Sequence, residues 1–335
     1  LKPVMNRPNL RVETGIMVDR VEIVDGRASA ILFSRGGEGY RAAASGEVIL
    51  SSGAINSPAI LERSGIGDAE RLAGLGIASI HHLPGVGENL QDHLQIRPVY
   101  KITGVRSLNT DYYNLFRRAW MGVEYGLFRK GALTMAPSQV GAFTRSSPDY
   151  ATANIQYHFQ PLSLDKWGDG LHRFGAFTAS VANLRPSSRG HVHITTADPA
   201  TQPAIDPNYL DTEEDRRVAV DSLRITRKIV AQKPLAAFRP EEYLPGPGLD
   251  TEEALLEAAG RISGPIFHPV GTAAMGLPSD PRAVLDERLR VHGLRGLRVV
   301  DASAMPRIVS GNTNSPTIMI AEKGAGMVLE DAKAR

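Results

Sequence analysis

The stretch that decides the fold covers residues 47–67 and reads EVILSSGAINSPAILERSGIG. It begins with a short apolar run at residues 48–50, which two serines and a glycine interrupt. Asn56 or Ser57 can then cap a helix that has Pro58 at its first position. This order of strand, glycine turn and short helix is typical of α/β nucleotide-binding folds.

Residues 10–33, on the amino-terminal side of this unit, are rich in β-branched side chains from Val12 and Ile16 onward. The dipeptide Asp25-Gly26 divides them, and it is a strong signal for a two-residue hairpin turn. A second turn is predicted at residues 36–39. The sequence therefore predicts a small antiparallel meander ahead of the α/β unit.

The carboxyl-terminal part returns to the same pattern. Residues 297–300 predict a short strand that ends at Asp301, and a polar loop follows at residues 310–315. Pro316 then begins a helix to about Asp331. Gly324 and Gly326 in this helix suggest close packing on a sheet.

The middle of the chain differs from both ends. A helix is predicted over residues 211–232, with Asp211 and Glu214 as a capping box, acidic residues in its first turn and basic residues near its end. Thr251 opens another helix. We therefore expect one discontinuous α/β domain that a middle domain interrupts.

Composition excludes several classes of protein. The 335 residues carry a formal net charge of +2 without a basic stripe, so nothing favours nucleic acid as a partner. No run of 18 apolar residues exists, so we expect no transmembrane segment. The absence of cysteine removes disulfides, thiolate metal sites and cysteine nucleophiles. We expect a cytoplasmic protein that can form a homo-oligomer.

Two generic motifs are rejected. Residues 37–42 match G-x-G-x-x-A, but they lie between two predicted strands and open no helix, so we predict no phosphate loop there. His191 and His193 share one strand face, as metal ligands might. A lone H-x-H without a nearby carboxylate is more often a half-exposed strand, and we predict no metal site.

Several linked segments carry a more specific signal. The unit at residues 53–67 is followed by LPGVGENLQDH at residues 83–93, by FHPVGTAAMG at 267–276, by VVDAS at 299–303 and by GNTNSPT at 311–317. In this order they resemble the glucose–methanol–choline (GMC) family of flavin oxidoreductases. The resemblance covers nearly the whole chain, from about Arg7 to Glu330.

The resemblance implies an α/β fold with α+β elements: a partial Rossmann-like FAD-binding domain plus a substrate domain of antiparallel sheet and helices. Residues 1–92 and 266–335 would form the FAD-binding part, and residues 93–265 the substrate-binding domain. Family members open with a G-x-G-x-x-G turn that holds the FAD pyrophosphate. This sequence has no such turn, so we expect a carboxyl-terminal fragment or, less favoured, a unit that another chain completes.

The resemblance also implies an active site for alcohol oxidation. His268 resembles the family's base, and imidazole suits that role because its ordinary pKa of about 6.5 is near working pH. Asn312 matches the second catalytic position, where an amide can donate to the substrate oxygen but cannot take the proton. His268 is therefore the base that we expect.

Further residues match the family's contacts with FAD. Backbone N–H groups around Asn314, at the start of the last helix, would face the flavin, where the helix dipole favours negative charge. Asp301 resembles a cofactor-contacting turn, and the backbone of Val18 would contact adenine. The predicted cofactor-binding residues are Val18, Phe267, Asp301, Ala302, Thr313 and Asn314.

The substrate and electron acceptor stay open. Choline-acting members carry a carboxylate in the substrate pocket, and this sequence places neutral Gln139 there, which weakens choline without excluding it. A neutral primary alcohol is at least as well supported. The acceptor is oxygen or a quinone. Two alternatives remain: a non-redox lyase that keeps FAD, and a non-catalytic remnant that has lost FAD and serves as an interaction module.

Overall fold

A computed structural model describes residues 2–136, 138–165 and 168–334. The strands are β1 (Met17–Val24), β2 (Arg27–Arg35), β3 (Glu38–Ala43), β4 (Val48–Leu50), β5 (Ile66–Gly67), β6 (His81–His82), β7 (Leu94–Ile96), β8 (Val99–Lys101), β9 (Val140–Thr144), β10 (Ile155–Gln160), β11 (Ala176–Asn183), β12 (His191–His193), β13 (Ala204–Asp206), β14 (Glu241–Leu244), β15 (Ser263–Pro265) and β16 (Leu297–Val299). The helices are α1 (Gly53–Arg63), α2 (Ala69–Gly74), α3 (Leu108–Tyr113), α4 (Leu115–Phe128), α5 (Glu213–Val230), α6 (Lys233–Ala236), α7 (Glu252–Arg261) and α8 (Asn314–Lys333), with short 3₁₀ turns at Lys2–Val4, Ala132–Thr134 and Ala302–Ala304.

The first three strands form the predicted antiparallel meander, in the order β1-β2-β3. Asp25 and Gly26 join β1 to β2 with φ angles of 49° and 71°, as a two-residue hairpin turn requires. The strand starts at Met17, so the expectation that Val12 and Ile16 belong to it is wrong.

Strands β4 and β16 pair in parallel although about 250 residues separate them, with Leu297 opposite Val48 and Val299 opposite Leu50. Both strands contribute buried side chains to the largest apolar cluster, and helices α1 and α8 contribute to the same cluster. The two ends of the chain therefore form one packed unit.

Helix α1 begins earlier than predicted, at Gly53, with Ser52 at its amino-terminal boundary. Pro58 thus lies inside the helix, where it deprives the Ala54 carbonyl of its usual N–H partner. The hydroxyl of Thr272 donates to that carbonyl at 2.6 Å, which offsets the loss. The capping role expected of Asn56 or Ser57 is wrong because both residues lie inside the helix.

A seven-stranded sheet occupies the middle of the chain, with β14-β8-β11-β10-β9 in order and β7 pairing with β11 and β15. Its pairings are antiparallel. Helices α5 and α7 pack against it through a second apolar cluster that includes Tyr157, Leu223 and Leu255. Strand β10 has two faces: Tyr157 points to α5, where its hydroxyl contacts Thr226, and Gln156 points to the loop before α8.

The helix caps were partly predicted. Thr251 caps α7 as expected, accepting a hydrogen bond from the N–H of Ala254 at 3.2 Å. For α5 the cap is Thr212, which accepts from the N–H of Asp215, so the predicted Asp211 capping box is wrong by one residue. The acidic first turn and basic last turn of α5 are confirmed.

Helix α8 begins at Asn314, two residues before the predicted start at Pro316. A Cβ atom on Gly324 would lie 2.7 Å from Cγ1 of Val300, so this glycine does permit close packing. A Cβ on Gly326 would meet nothing within 4 Å, so that half of the prediction is wrong. In the part of the chain that the structure describes, none of the helices has the length and hydropathy to cross a membrane.

Candidate active site

The structure brings together the two residues that the sequence selects as catalytic. His268 lies in the loop after β15, and Asn312 lies in the polar loop before α8. Nε2 of His268 is 3.3 Å from Nδ2 of Asn312. A direct contact across 44 residues is what a shared site requires, although the catalytic roles remain predictions.

The buried carboxylate of Asp92 fixes the backbone at this site. Its Oδ1 accepts the backbone N–H groups of His93 and His268, each at 2.8 Å, and its Oδ2 accepts the hydroxyl of Tyr209 at 2.6 Å. Burial nevertheless raises the pKa of Asp92, because desolvation outweighs these hydrogen bonds. One carboxyl group therefore anchors both histidine-bearing segments.

The side chains of His93 and His268 meet directly. Their Nδ1 atoms are 3.0 Å apart and the rings are nearly perpendicular, at 84°. Nε2 of His93 lies 3.3 Å from the carbonyl oxygen of Leu184. Because a carbonyl only accepts, Nε2 of His93 must donate.

This arrangement determines which nitrogen of His268 carries the proton. Burial first, and the neighbouring His268 second, lower the pKa of His93 to about 4, so its imidazole is neutral near pH 7. With its proton on Nε2, His93 has a free lone pair on Nδ1, and Nδ1 of His268 must donate to it. Nε2 of His268 is left as an acceptor facing Asn312.

Asn312 continues the same hydrogen-bond chain. Its Oδ1 accepts from Nε2 of Gln156 at 3.3 Å, which leaves its amide nitrogen to donate to His268. Each residue of this chain therefore donates to the next one. Gln156 donates to Asn312, Asn312 to His268, His268 to His93, and His93 to the Leu184 carbonyl. Burial also lowers the pKa of His268, so its unprotonated form is favoured at neutral pH.

A cavity of about 340 Å³ opens over the pair. His158, on β10, lines it, and its Nδ1 is 3.0 Å from Nε2 of Gln95. Since the amide nitrogen donates, neutral His158 carries its proton on Nε2. Burial first and His268 second lower the pKa of His158. His93, His158 and Gln95 are not among the residues predicted from the sequence, although His93 and its partner Asp92 belong to the quoted LQDH segment.

The expectation for Gln139 is not met. Ala136 and Ser138 line the cavity over His268, whereas Gln139 is absent from that lining and donates its side-chain amide to the carbonyl of Ala136 at 2.7 Å. Gln139 lines a separate cavity instead. The described residues that line the cavity near His268 carry neutral amides, histidine rings and small or apolar side chains.

Three predicted cofactor-binding residues lie beside His268 and Asn312. Phe267 is 73% exposed and has a φ of 61°, so its ring stands on the surface next to His268. Thr313 is buried and precedes α8 without capping it through its side chain, and Asn314 is exposed. The first N–H groups of this 20-residue helix thus remain available to an electron-rich ring edge, which fits the predicted flavin contact.

The side chain of Asp301 forms hydrogen bonds within the protein. Its Oδ2 accepts from Gly53 N at 2.9 Å and from the hydroxyl of Ser57 at 2.6 Å, and its Oδ1 accepts from Ser303 N at 2.8 Å. The carboxylate is thus occupied in joining β16 to α1. Only the backbone at Asp301, together with half-buried Ala302, is left for a cofactor.

Val18 lies on β1, away from the cavity lining. It pairs with Phe33 beside a register irregularity, and β1 is an edge strand of its sheet. An edge strand presents backbone groups that the sheet does not use, which is compatible with the predicted backbone contact to adenine.

The H-x-H segment is not the half-exposed strand that was predicted. His193 is buried, with Nδ1 2.8 Å from Oε1 of Glu62 and Nε2 2.9 Å from Oε1 of Glu88. Glu62, which is fully buried, also accepts the N–H of Ile194. Among the described residues no group of three His, Cys, Asp or Glu side chains could hold a metal ion. The cluster joins α1 to β12.

Comparisons with known proteins show the family and the fold of this chain. Two family models described as GMC oxidoreductase match the chain, one over residues 1–95 and the other over residues 186–321. The chain belongs to the GMC oxidoreductase family, as the resemblance predicted.

Two choline dehydrogenases are among the proteins whose sequences resemble this chain. The chain is 42% identical over 331 residues to choline dehydrogenase, mitochondrial, of Homo sapiens, which covers 98% of this chain and 55% of that protein. It is 39% identical over 329 residues to oxygen-dependent choline dehydrogenase of Staphylococcus haemolyticus, covering 98% and 58%. The chain thus spans little more than half the length of these relatives.

Solved structures confirm the mixed α/β fold. Pyridoxine 4-oxidase from Mesorbium loti matches with a TM-score of 0.83 and 27% identity, covering 97% of this chain and 59% of that one. A formate oxidase of Aspergillus oryzae RIB40, solved to study FAD modification, matches with a TM-score of 0.91 and 25% identity, covering 99% and 63%.

Proposed function

We propose that this protein oxidises a small-molecule alcohol with FAD as its cofactor and oxygen or a quinone as electron acceptor. The observation that carries the proposal is the one-way hydrogen-bond chain that leaves Nε2 of His268 unprotonated beside the amide of Asn312. A general base and an oxygen-binding donor, side by side, are what proton removal from an alcohol needs.

The chain's own residues would hold the cofactor from one side. The start of α8 at Thr313 and Asn314, the exposed Phe267, and the backbone of Asp301 and Ala302 fit a flavin, and the backbone of Val18 fits adenine. When bound, FAD accepts the hydride that leaves the alcohol carbon.

His268 and Asn312 divide the work on the alcohol. The substrate hydroxyl replaces Asn312 as donor to Nε2 of His268, and the freed Asn312 amide donates to the substrate oxygen. His268 then takes the hydroxyl proton on Nε2, while its Nδ1–H stays bound to His93. His158, whose Nε2 carries a proton, is a second donor in the same cavity.

We infer a primary alcohol as the substrate class. The described residues that line the cavity include no Asp or Glu, so a quaternary ammonium would find no carboxylate there. Choline remains the substrate to compare, because relatives at 39–43% identity are named choline dehydrogenases. Those names, and the oxidases among the solved structures, favour redox chemistry over a lyase or a non-catalytic remnant.

The test is anaerobic reduction of the flavin in the FAD-loaded protein. We expect primary alcohols to bleach the oxidised flavin band, and His268→Gln to slow that reduction by at least about 10²-fold, as loss of a general base does. Failure of every alcohol to reduce a bound flavin would overturn the proposal in favour of the lyase. Absence of any bound flavin, even in a chain extended by the family's G-x-G-x-x-G unit, would favour the remnant.

The remaining expectations rest on the sequence. We propose the division into residues 1–92, 93–265 and 266–335, a cytoplasmic location and a homo-oligomer. Light scattering of the purified protein measures the oligomeric state, and a monomer at micromolar concentration would contradict the last of these.

A further inference from the structure

A second cavity, of about 420 Å³, lies beside the one over His268. It sits between one end of the seven-stranded sheet and helices α5 and α6. Most of the side chains that line it are apolar, among them Val140, Phe159, Phe177, Ile229, Leu235 and Phe238. Space of this size with such walls favours an apolar ligand.

The two cavities share a wall. Gln160, the last residue of β10, lines both of them. The segment leading into β9 also divides between them, since Ser138 faces the cavity over His268 while Gln139 and Val140 face the apolar one. A ligand that occupies both cavities has to pass Gln160.

Gln160 is the residue that separates the two cavities. The residue is 3% exposed, and its Oε1 is buried yet accepts no hydrogen bond from the described residues. Buried side-chain acceptors in folded proteins nearly always have a partner. Oε1 of Gln160 is an exception, so no hydrogen bond from the described residues holds it in place when a ligand passes.

The charges of the lining side chains indicate whether the ligand itself is charged. In the described part of the chain, the lining of the apolar cavity includes one charged side chain, Arg106, and no carboxylate. Neither cavity therefore offers a counter-charge to a cation. An uncharged molecule matches both.

We propose that the substrate is an uncharged alcohol with an apolar tail, whose hydroxyl lies at His268 and whose tail passes Gln160 into the apolar cavity. This inference rests on the proposed function and names its substrate class. Each methylene moved from water into the cavity should tighten binding about three- to fourfold, until the cavity is full.

The experiment measures binding without turnover. The FAD of the loaded protein is first reduced with dithionite under argon, so that it cannot accept a hydride. We then titrate 1-butanol, 1-hexanol, 1-octanol and choline into the protein and measure each binding affinity by calorimetry. Val140→Trp and Leu235→Trp place a larger side chain in the cavity from β9 and from α6. Val123→Trp, on the exposed surface of α4, is the matched control.

We expect affinity to rise from butanol to octanol by at least about 30-fold, with choline weakest. Either filling variant should abolish that rise, and the control should preserve it. Equal affinity for all three alcohols, a preference for choline, or an unchanged rise in both filling variants would overturn the inference.

The two proposals fail separately. If octanol binds in the apolar cavity but no alcohol reduces the oxidised flavin, the proposed function fails and the apolar site stands. If short alcohols or choline reduce the flavin without any dependence on chain length, the function stands and the tail site is wrong.

Discussion

The Nδ1 atoms of His93 and His268 lie 3.0 Å apart, and this contact determines where the proton of His268 resides. His93 must donate its own proton to the Leu184 carbonyl, 3.3 Å away, so it can only accept from His268. The nitrogen of His268 that faces Asn312 is then free to act as a base.

Replacing His93 tests this positioning role. His93→Phe keeps a ring but removes the acceptor, so we expect kcat to fall about 10- to 100-fold through misorientation of the base. KM should stay nearly unchanged, because His93 does not line the substrate cavity. His93→Gln can accept from His268 and donate to Leu184, so it should restore most of the rate. Equal losses in both variants would show that His93 only fills space.

The pH dependence of flavin reduction follows from the burial of His268. Burial lowers the pKa of its imidazole, so the active, unprotonated form persists below the ordinary histidine range. We expect the reduction rate to rise with pH through one ionisation with a pKa below 6.5 and then to stay level. Stopped-flow rates between pH 5 and pH 9 measure it, and a midpoint above 6.5 would contradict the assignment.

His93 also links stability to pH. Its pKa is about 4 in the folded protein and about 6.5 in the unfolded chain. Between these two pH values the unfolded chain binds a proton at His93 and the folded protein does not. Stability must therefore fall as the pH drops. We expect the free energy of unfolding to lose about 2 kcal/mol more in the wild type than in His93→Gln between pH 7.5 and pH 5. Urea titrations measure it, and parallel losses would refute the linkage.

The two glycines of α8 form a matched pair. Gly324→Ala would place a Cβ 2.7 Å from Cγ1 of Val300, and we expect it to destabilise the protein by about 1–3 kcal/mol. Gly326→Ala meets no neighbour within 4 Å, so it should stabilise by about 0.5–1 kcal/mol through helix propensity. Thermal unfolding of both variants decides, and equal shifts would mean that α8 does not pack on Val300.

The buried cluster around His193 gives another matched pair. His193→Ala leaves the fully buried Glu62 without its ring partner, and we expect a loss of about 3 kcal/mol in the free energy of unfolding. His191→Ala, on the same strand but half-buried, should cost less than about 1 kcal/mol. Comparable costs for the two substitutions would argue against a structural role for the cluster.

Local chemistry explains what the sequence predicted well. Asp25-Gly26 gave the first hairpin because both residues tolerate positive φ, and Thr251 gave the start of α7 because its hydroxyl caps the adjacent turn. The pair His268 and Asn312 was selected through linked motifs that belong to one family. Such features depend on a few neighbouring residues or on a shared pattern.

Long-range contacts explain what the sequence could not show. The true start of α1 depends on Asp301 holding Gly53 and on Thr272 satisfying the Ala54 carbonyl. The positioning role of His93 depends on Leu184 and His268, which contact the two nitrogen atoms of its ring. Nothing in the local sequence encodes these partners.

Chemical rescue tests the central claim most directly. In the FAD-loaded His268→Ala variant, we expect anaerobic flavin reduction by a primary alcohol to be slow and to recover in proportion to added neutral imidazole. A reduction rate close to that of the wild type without imidazole would contradict the assignment of His268 as the base.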